Sequence, residues 1–359
     1  MRIGIIGLAQ AGKTSIFRVL THAPAAELHQ VKDAQRVGIA RVPDRRLDQL
    51  VPLFSPEKTV YATVECVDVA PIGEDTLRET AYLTALRQTD ALLHVVRTFA
   101  DDTVPHIKGS IDAARDVSDV DLELILTDLS VIENRLARIE KDRKKIQGAD
   151  LGREQELLER AKKVLEDNRP LRSADWTEEE NKRLRGFTFL SEKPMLIVFN
   201  VGEDQASRGD EILNDPKLKP LWDRPGTLAV AVCGKLEAEL AMMSEEEARD
   251  FLATYGLKEP ARDRLVRASH ALLGLIVFFT VGEKECRAWN IRRGATAQQA
   301  AGVIHSDLEK HFIRAEVIPW NQLLEAGSLA AARQKGTLRL EGKDYIVQDG
   351  DICHIRHSG

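Results

Sequence analysis

The 359 residues carry 51 Lys and Arg against 57 Asp and Glu, a formal charge of -6, and 43% of them are hydrophobic. That length exceeds one ordinary core and predicts two or three domains, and the acidic balance excludes nucleic-acid binding by bulk charge, so any such contact needs a local basic patch and no reading of DNA sequence is expected. No run of about 18 apolar residues is present, and with a strand expected from the first residues there is no room for a cleavable signal, so a cytoplasmic protein without a membrane partner is expected.

The first predicted element is the apolar strand Ile3-Gly4-Ile5-Ile6. It enters Gly7-Leu8-Ala9-Gln10-Ala11-Gly12-Lys13-Thr14, a complete G-x-x-x-x-G-K-[ST] phosphate-binding loop. A glycine-rich turn lets successive backbone N–H groups converge on phosphate oxygens. Lys13 would reach the β and γ oxygens, Thr14 would ligate Mg²⁺, and the helix that follows (Ile16, Phe17, Leu20) would point its positive end at the anion. Gly7, Gln10, Ala11, Gly12, Lys13, Thr14 and Ser15 are therefore candidate nucleotide-binding residues.

Val60 to Val69 reads as the next strand and ends in Asp68-Val69-Ala70-Pro71, where Asp68 is placed to serve the metal. Asp90 to Arg97 is a further strand, and His94 within it reads as a satisfied core or strand-end histidine. From Leu122 the apolar positions Leu122, Ile125, Leu129, Ile132, Leu136 and Ile139 alternate in spacings of three and four, which is a coiled-coil seam. A second helix with Leu158, Ala161 and Leu165 can pack back on it as an antiparallel hairpin after the turn-prone residues 147–150. Lys141, Arg143, Lys144 and Lys145 lie near the tip, a solvated face or a contact for nucleic acid or a ribosome.

Met195 to Asn200 and Leu228 to Val232 complete a parallel α/β sheet with phosphate binding at the carboxyl ends of its strands. The last 85 residues change character: paired strands at Ile276 to Thr280 and Cys286 to Ile291, a helix over Ala297 to Leu308, and short strands around Gly336 to Leu340 and Tyr345 to Val347. This small α+β unit reads as a binding module. Cys66, Cys233, Cys286 and Cys353 show neither C-x-x-C pairing nor metal-ligand spacing and are read as free thiols.

The segments Arg287-Ala288-Trp289, Arg293-Gly294-Ala295-Thr296-Ala297, Gln299 to His305, Phe312 to Val317 and Glu341 to Asp351 resemble the carboxyl-terminal TGS domain of the YchF family, the Obg-like ATPases. Val42-Pro43-Asp44 with Arg46-Leu47-Asp48 resembles the family's segment after switch I, and the likeness extends over essentially the whole chain. It implies a Ras-like P-loop NTPase domain (residues 1–120 and 187–273) interrupted by an antiparallel coiled-coil hairpin (121–186) and followed by a ubiquitin-like TGS domain (274–359).

Asn200-Val201-Gly202-Glu203 stands where GTPases carry Asn-Lys-x-Asp, whose Asp accepts two hydrogen bonds from guanine. The family has a similar Asn-x-x-Glu, and the resemblance implies ATP in preference to, or alongside, GTP. Asn200 would accept from the adenine 6-amino group or brace the loop. Cys233-Gly234-Lys235 matches the second base-contacting loop, with Lys235 available to cover the purine. His106 in His106-Ile107-Lys108-Gly109-Ser110 is similar to the family's mobile histidine loop, which implies that it positions the attacking water.

Three departures bear on turnover. Pro71 replaces the Gly of Asp-x-x-Gly and has no N–H for the γ-phosphate; Lys32 stands where a Mg²⁺-binding Thr is expected; Ser110 replaces a Lys. Two functions follow: a slow ATPase whose nucleotide state tunes docking on a ribosome or RNA, with Arg287, Arg292, Arg293, Arg314 and Lys343 adding a basic surface, or a nucleotide-binding adaptor impaired in hydrolysis.

Overall fold

The computed structural model describes residues 1–21, 35–72, 79–143 and 149–358. Lys32, Lys144 and Lys145 lie outside the described residues. The chain divides into two compact units, Met1–Ile39 with Glu65–Ala268, and Ala40–Val64 with Ser269–Gly359.

In the first unit six strands are ordered Gln35–Arg41, Thr63–Val69, Arg2–Ile6, Ala91–Arg97, Met195–Asn200 and Thr227–Val232. The pairings made by Arg2–Ile6, Ala91–Arg97 and Met195–Asn200 are all parallel. Ala91–Arg97 and Met195–Asn200 are buried at every position, the unbroken apolar pattern of strands covered on both faces. Register places Ile6 opposite His94 and Arg97 opposite Asn200, so the phosphate loop and the Asn200 loop leave the same edge of the sheet.

The hairpin consists of the helices Ala113–Arg143 and Ala149–Glu166. Ile125, Ile132 and Ile139 pack on Leu158, Ala161 and Leu165, with Leu129 and Leu136 half-buried beside them. Each buried isoleucine contributes about 2 kcal/mol of burial energy. Leu122, expected in the seam, is instead 41% exposed. The partner helix stops at Glu166 and Asn168 turns the chain in the left-handed region (φ 55°), so the packed stripe begins at Ile125. One turn earlier the same helix gives Val117, Val120 and Leu124 to the core over the sheet. Asp121, paired with the buried Arg172 and with Arg224, and Asp128, accepting from the Leu190 and Ser191 N–H groups at 2.9 and 2.7 Å, fix the helix to the segments around it.

In the second unit the strand order is Arg339–Glu341, Phe312–Pro319, Asp351–His357, Leu275–Thr280, Glu285–Arg292 and Lys58–Val60. The strand expected over Val60 to Val69 therefore ends at Val60 and restarts at Thr63. Within this unit the Ala62 carbonyl accepts from Val42 N–H (2.8 Å) and the Thr63 carbonyl from Asn290 Nδ2 (2.8 Å), and Lys58–Val60 pairs in parallel with Glu285–Arg292. Residues 40–64, assigned from sequence to the nucleotide domain, cluster here instead: Arg46 binds both Asp44 and Asp349.

The antiparallel pair near Ile276 and Cys286 forms as expected. The helix expected over Ala297 to Leu308 breaks at His305, whose backbone is extended and whose Nδ1 accepts from Asp307 N–H at 3.2 Å. Tyr345 to Val347 makes a single bridge, Ile346 to Thr296, rather than a strand, and the expected strand at Gly336 to Leu340 is displaced to Arg339–Glu341. The late strands Phe312–Pro319 and Asp351–His357 carry exposed Arg and His and a buried Glu316, and give no clean apolar run. All four cysteines are buried free thiols.

Candidate functional site

The phosphate loop has the backbone its glycines predict. Gly7 (φ 145°) and Gly12 (φ 94°) occupy positive φ, and a Cβ on them would fall 2.4 Å from the Val95 carbonyl oxygen and 2.2 Å from Asn200 Nδ2. Gln10 also takes positive φ (62°), a costly position for a residue with a side chain. The loop is tied to the segment after Asp68: Ile72 N–H donates to the Gly7 carbonyl at 3.0 Å. Pro71, one residue earlier, is thereby held at the edge of the cavity.

That cavity, about 410 Å³, is lined by Gln10, Lys13, Thr14, Arg36, Asp68 and Pro71, with Gly12 and Ser15 at its border. Lys13 Nζ donates to the Gly7 and Leu8 carbonyls at 3.2 and 3.0 Å. Burial lowers its pKa to about 8, and Asp68 opposes that shift. Burial pushes the Asp68 carboxyl up, against the pull of Lys13, Arg36 and a hydrogen bond from Thr14. A hydroxyl bonded to a half-desolvated carboxylate is an oxygen pair of the kind Mg²⁺ takes beside phosphates, so Thr14 and Asp68 fit the metal assigned to them.

A second cavity of about 1170 Å³ adjoins the loop and is lined by Phe99, Asn200, Glu203, Lys235, Met242 and Met243, with Gly12, Ser15, Cys233 and Gly234 also on its wall. Asn200 is buried and acts as a brace. Its Nδ2 donates to the Ala11 carbonyl (3.1 Å) and its Oδ1 accepts from Gly234 N–H (3.0 Å), joining the phosphate loop to the second base loop. Of the two roles read for Asn200, the geometry displays the brace. Glu203 is paired with Lys235, so the side chain expected to cover a purine is tethered at the cavity rim.

His106 is not among the residues that line either cavity. Its side chain is only 4% exposed, Nδ1 accepts from Lys108 N–H at 3.1 Å, and Nε2 lies 2.9 Å from Asp116 Oδ2 without hydrogen-bond alignment. Gly7 through Ser15, Asp68, Asn200, Glu203 and Cys233 to Lys235 are thus brought together, and His106 is not. His94 is a core residue as expected but not a satisfied one: both ring nitrogens are buried without a partner, and burial lowers its pKa to about 4. Arg36, Phe99, Met242 and Met243 were missed because none belongs to a motif. The one available sign for Arg36 is a cation just before Val37-Gly38, in the segment expected to approach phosphate.

The family model YchF-GTPase_C, described as a protein of unknown function (DUF933), matches residues 275–358. Curated relatives named ribosome-binding ATPase YchF include those of Bacillus subtilis, 39% identical over 98% of both chains, and of Escherichia coli O157:H7, 38% identical over 99% of this chain and 98% of the relative. Among solved structures, the Schizosaccharomyces pombe YchF GTPase matches with a TM-score of 0.85 and 28% identity, covering 99% of this chain and 97% of that one. Similarity at this level along the full length shows that the chain belongs to the YchF family.

Proposed function

We propose that this protein binds a nucleoside triphosphate with Mg²⁺, ATP in preference to GTP, and hydrolyses it slowly, the nucleotide state tuning its docking on a ribosome. The observation that carries the reading is the convergence of the phosphate loop, the Thr14–Asp68 pair and an adjoining cavity with room for a purine at one sheet edge. The names of the bacterial relatives support the ATPase and ribosome parts.

In this reading the backbone N–H groups of Gly7 to Thr14 and the Lys13 ammonium neutralise the phosphate oxygens, which is most of what phosphoryl transfer asks of a protein. Lys13 exchanges its bonds to the Gly7 and Leu8 carbonyls for bonds to phosphate. Thr14 and Asp68 would hold Mg²⁺, which would supply charge neutralisation to the phosphates. Asn200 holds the two base loops in register. Glu203, engaged by Lys235, is a poor substitute for the free Asp that reads guanine, which favours adenine. His106 orients water only after leaving Asp116. The hairpin (121–186) and the carboxyl-terminal domain (274–359) are assigned to the ribosome or RNA, through Lys141 to Lys145 and the basic positions Arg287 to Lys343; Arg287 already stacks on Trp289, 4.2 Å from its ring centre.

Calorimetric titration of nucleotide-stripped protein with ATP, GTP, ADP and GDP in Mg²⁺, followed by phosphate release and co-sedimentation with ribosomes, tests this. ATP binding tighter than GTP binding, lost in Lys13→Ala, with measurable turnover and nucleotide-dependent co-sedimentation is expected. Equal binding by Lys13→Ala would remove the phosphate loop from the reading, and binding without turnover would favour the adaptor. Co-sedimentation unchanged by reversing Lys144 and Lys145 to Glu would remove the hairpin tip.

A further inference from the structure

Arg36 stands in the strand Gln35–Arg41, and its side chain lines the phosphate cavity with Lys13, Thr14 and Asp68. Its Nη1 lies 3.7 Å from Asp68 Oδ2, longer than a hydrogen bond, and a third of the side chain is exposed. Among the described residues that contact is a loose ion pair on a long side chain, an interaction readily exchanged. Asp68 is also the carboxylate that fits a divalent cation. With Asp68 so engaged, Arg36 is left beside the phosphates without its partner.

A guanidinium in that position binds phosphate oxygens through paired, charge-assisted hydrogen bonds. The same cavity has a deficit such a group would fill. Pro71, at the place from which a backbone N–H would otherwise reach the terminal phosphate, has no N–H to give. We propose that Arg36 is the γ-phosphate sensor of this chain, a guanidinium supplied by the protein's own strand that exchanges Asp68 for the terminal phosphate and makes the contact Pro71 cannot. The inference rests on the nucleotide-binding reading above.

The test is calorimetric titration of the full chain, as wild type, Arg36→Ala and Arg36→Lys, with Mg·ATP and Mg·ADP. The wild type is expected to prefer ATP. Arg36→Ala is expected to bind ADP nearly as before and to lose roughly tenfold or more in ATP affinity, the worth of one charge-assisted contact. Arg36→Lys, which keeps the charge without the fork, should recover part of the loss. An unchanged ATP-to-ADP ratio in Arg36→Ala, or an equal loss for both nucleotides, would overturn the sensor and leave Arg36 as a partner of Asp68. A wild type that binds the two equally would also overturn it while leaving nucleotide binding intact, whereas a wild type that binds neither would sink the nucleotide reading itself.

Discussion

The loop from Gly7 to Thr14 and the loop from Asp101 to Asp112 carry two halves of one reaction in the proposed function, and they are built in opposite ways. In the first, it is the backbone that is fixed, by positive φ at Gly7, Gln10 and Gly12, a brace from the Asn200 side chain and a tie from the Ile72 N–H. In the second, the functional group is the His106 ring, held by the Asp116 carboxylate and the Lys108 backbone N–H. A phosphate cradle must be preorganised because its donors work by being already in place. A water-positioning group must be able to leave one partner for another, and side-chain contacts can be exchanged at little cost.

The largest effect that separates the two loops is a methyl group added to each. Gly12→Ala puts a carbon 2.2 Å from Asn200 Nδ2 at φ 94°, so the brace or the loop must move. Nucleotide affinity is expected to fall more than about a hundredfold and stability by about 2 kcal/mol or more. Gly109→Ala, at φ 75° with nothing within 4 Å of the new carbon, should cost about 1 kcal/mol of backbone strain and leave affinity alone. Titration and chemical denaturation of both variants would measure this; equal losses of affinity would mean that the phosphate loop is no more preorganised than the other.

An intermediate effect sharpens the role of the second loop. His106→Ala should leave nucleotide affinity nearly intact and lower phosphate release on the order of a hundredfold, in line with the loss of a group that places the attacking water. Asp116→Asn replaces the carboxylate oxygen that Nε2 contacts at 2.9 Å by a neutral amide, which should loosen the hold on the ring and raise turnover a few-fold. Single-turnover phosphate release would decide it. A fall in affinity in His106→Ala, or no change in either quantity, would remove His106 from catalysis and leave it as a packing residue of the Ala113–Arg143 helix.

The same contrast explains what could be read from the chain. Gln10 takes positive φ with a side chain and gave no sign of it, whereas the backbone of the phosphate loop was legible at Gly7 and Gly12 because positive φ is a local requirement that glycine meets. The hairpin was legible for the same reason, since Ile125, Ile132 and Ile139 declare their face through spacing alone. Arg36 was not, because its meaning depends on Asp68, which is brought beside it only by the sheet. Nor was the division of Val60 to Val69, because alternation shows that a segment is extended and is silent on which sheet claims it. The departure of His106 from the cavities belongs with these: its partner Asp116 lies in a helix whose face is set by tertiary packing.

The smallest effect concerns pH and bears on the phosphate loop alone. Burial holds the free-state pKa of Lys13 at about 8, below the ordinary lysine value, while bound phosphates would favour the charged ammonium and raise it. Below pH 8 Lys13 is charged in both states and contributes nothing to the pH dependence of affinity. Above it, binding must first protonate the amine, so affinity should fall by up to about tenfold per pH unit until the bound-state pKa is passed. Lys13→Arg, charged throughout, should bind more weakly because the bulkier planar fork does not fit the buried space from which a compact ammonium reaches the phosphates, yet show no such fall. Titrations from pH 7 to 9.5 would measure the slope. A flat wild-type profile would mean that Lys13 is already fully charged in the free loop, and that Asp68, not the incoming phosphate, supplies the counter-charge that offsets its burial.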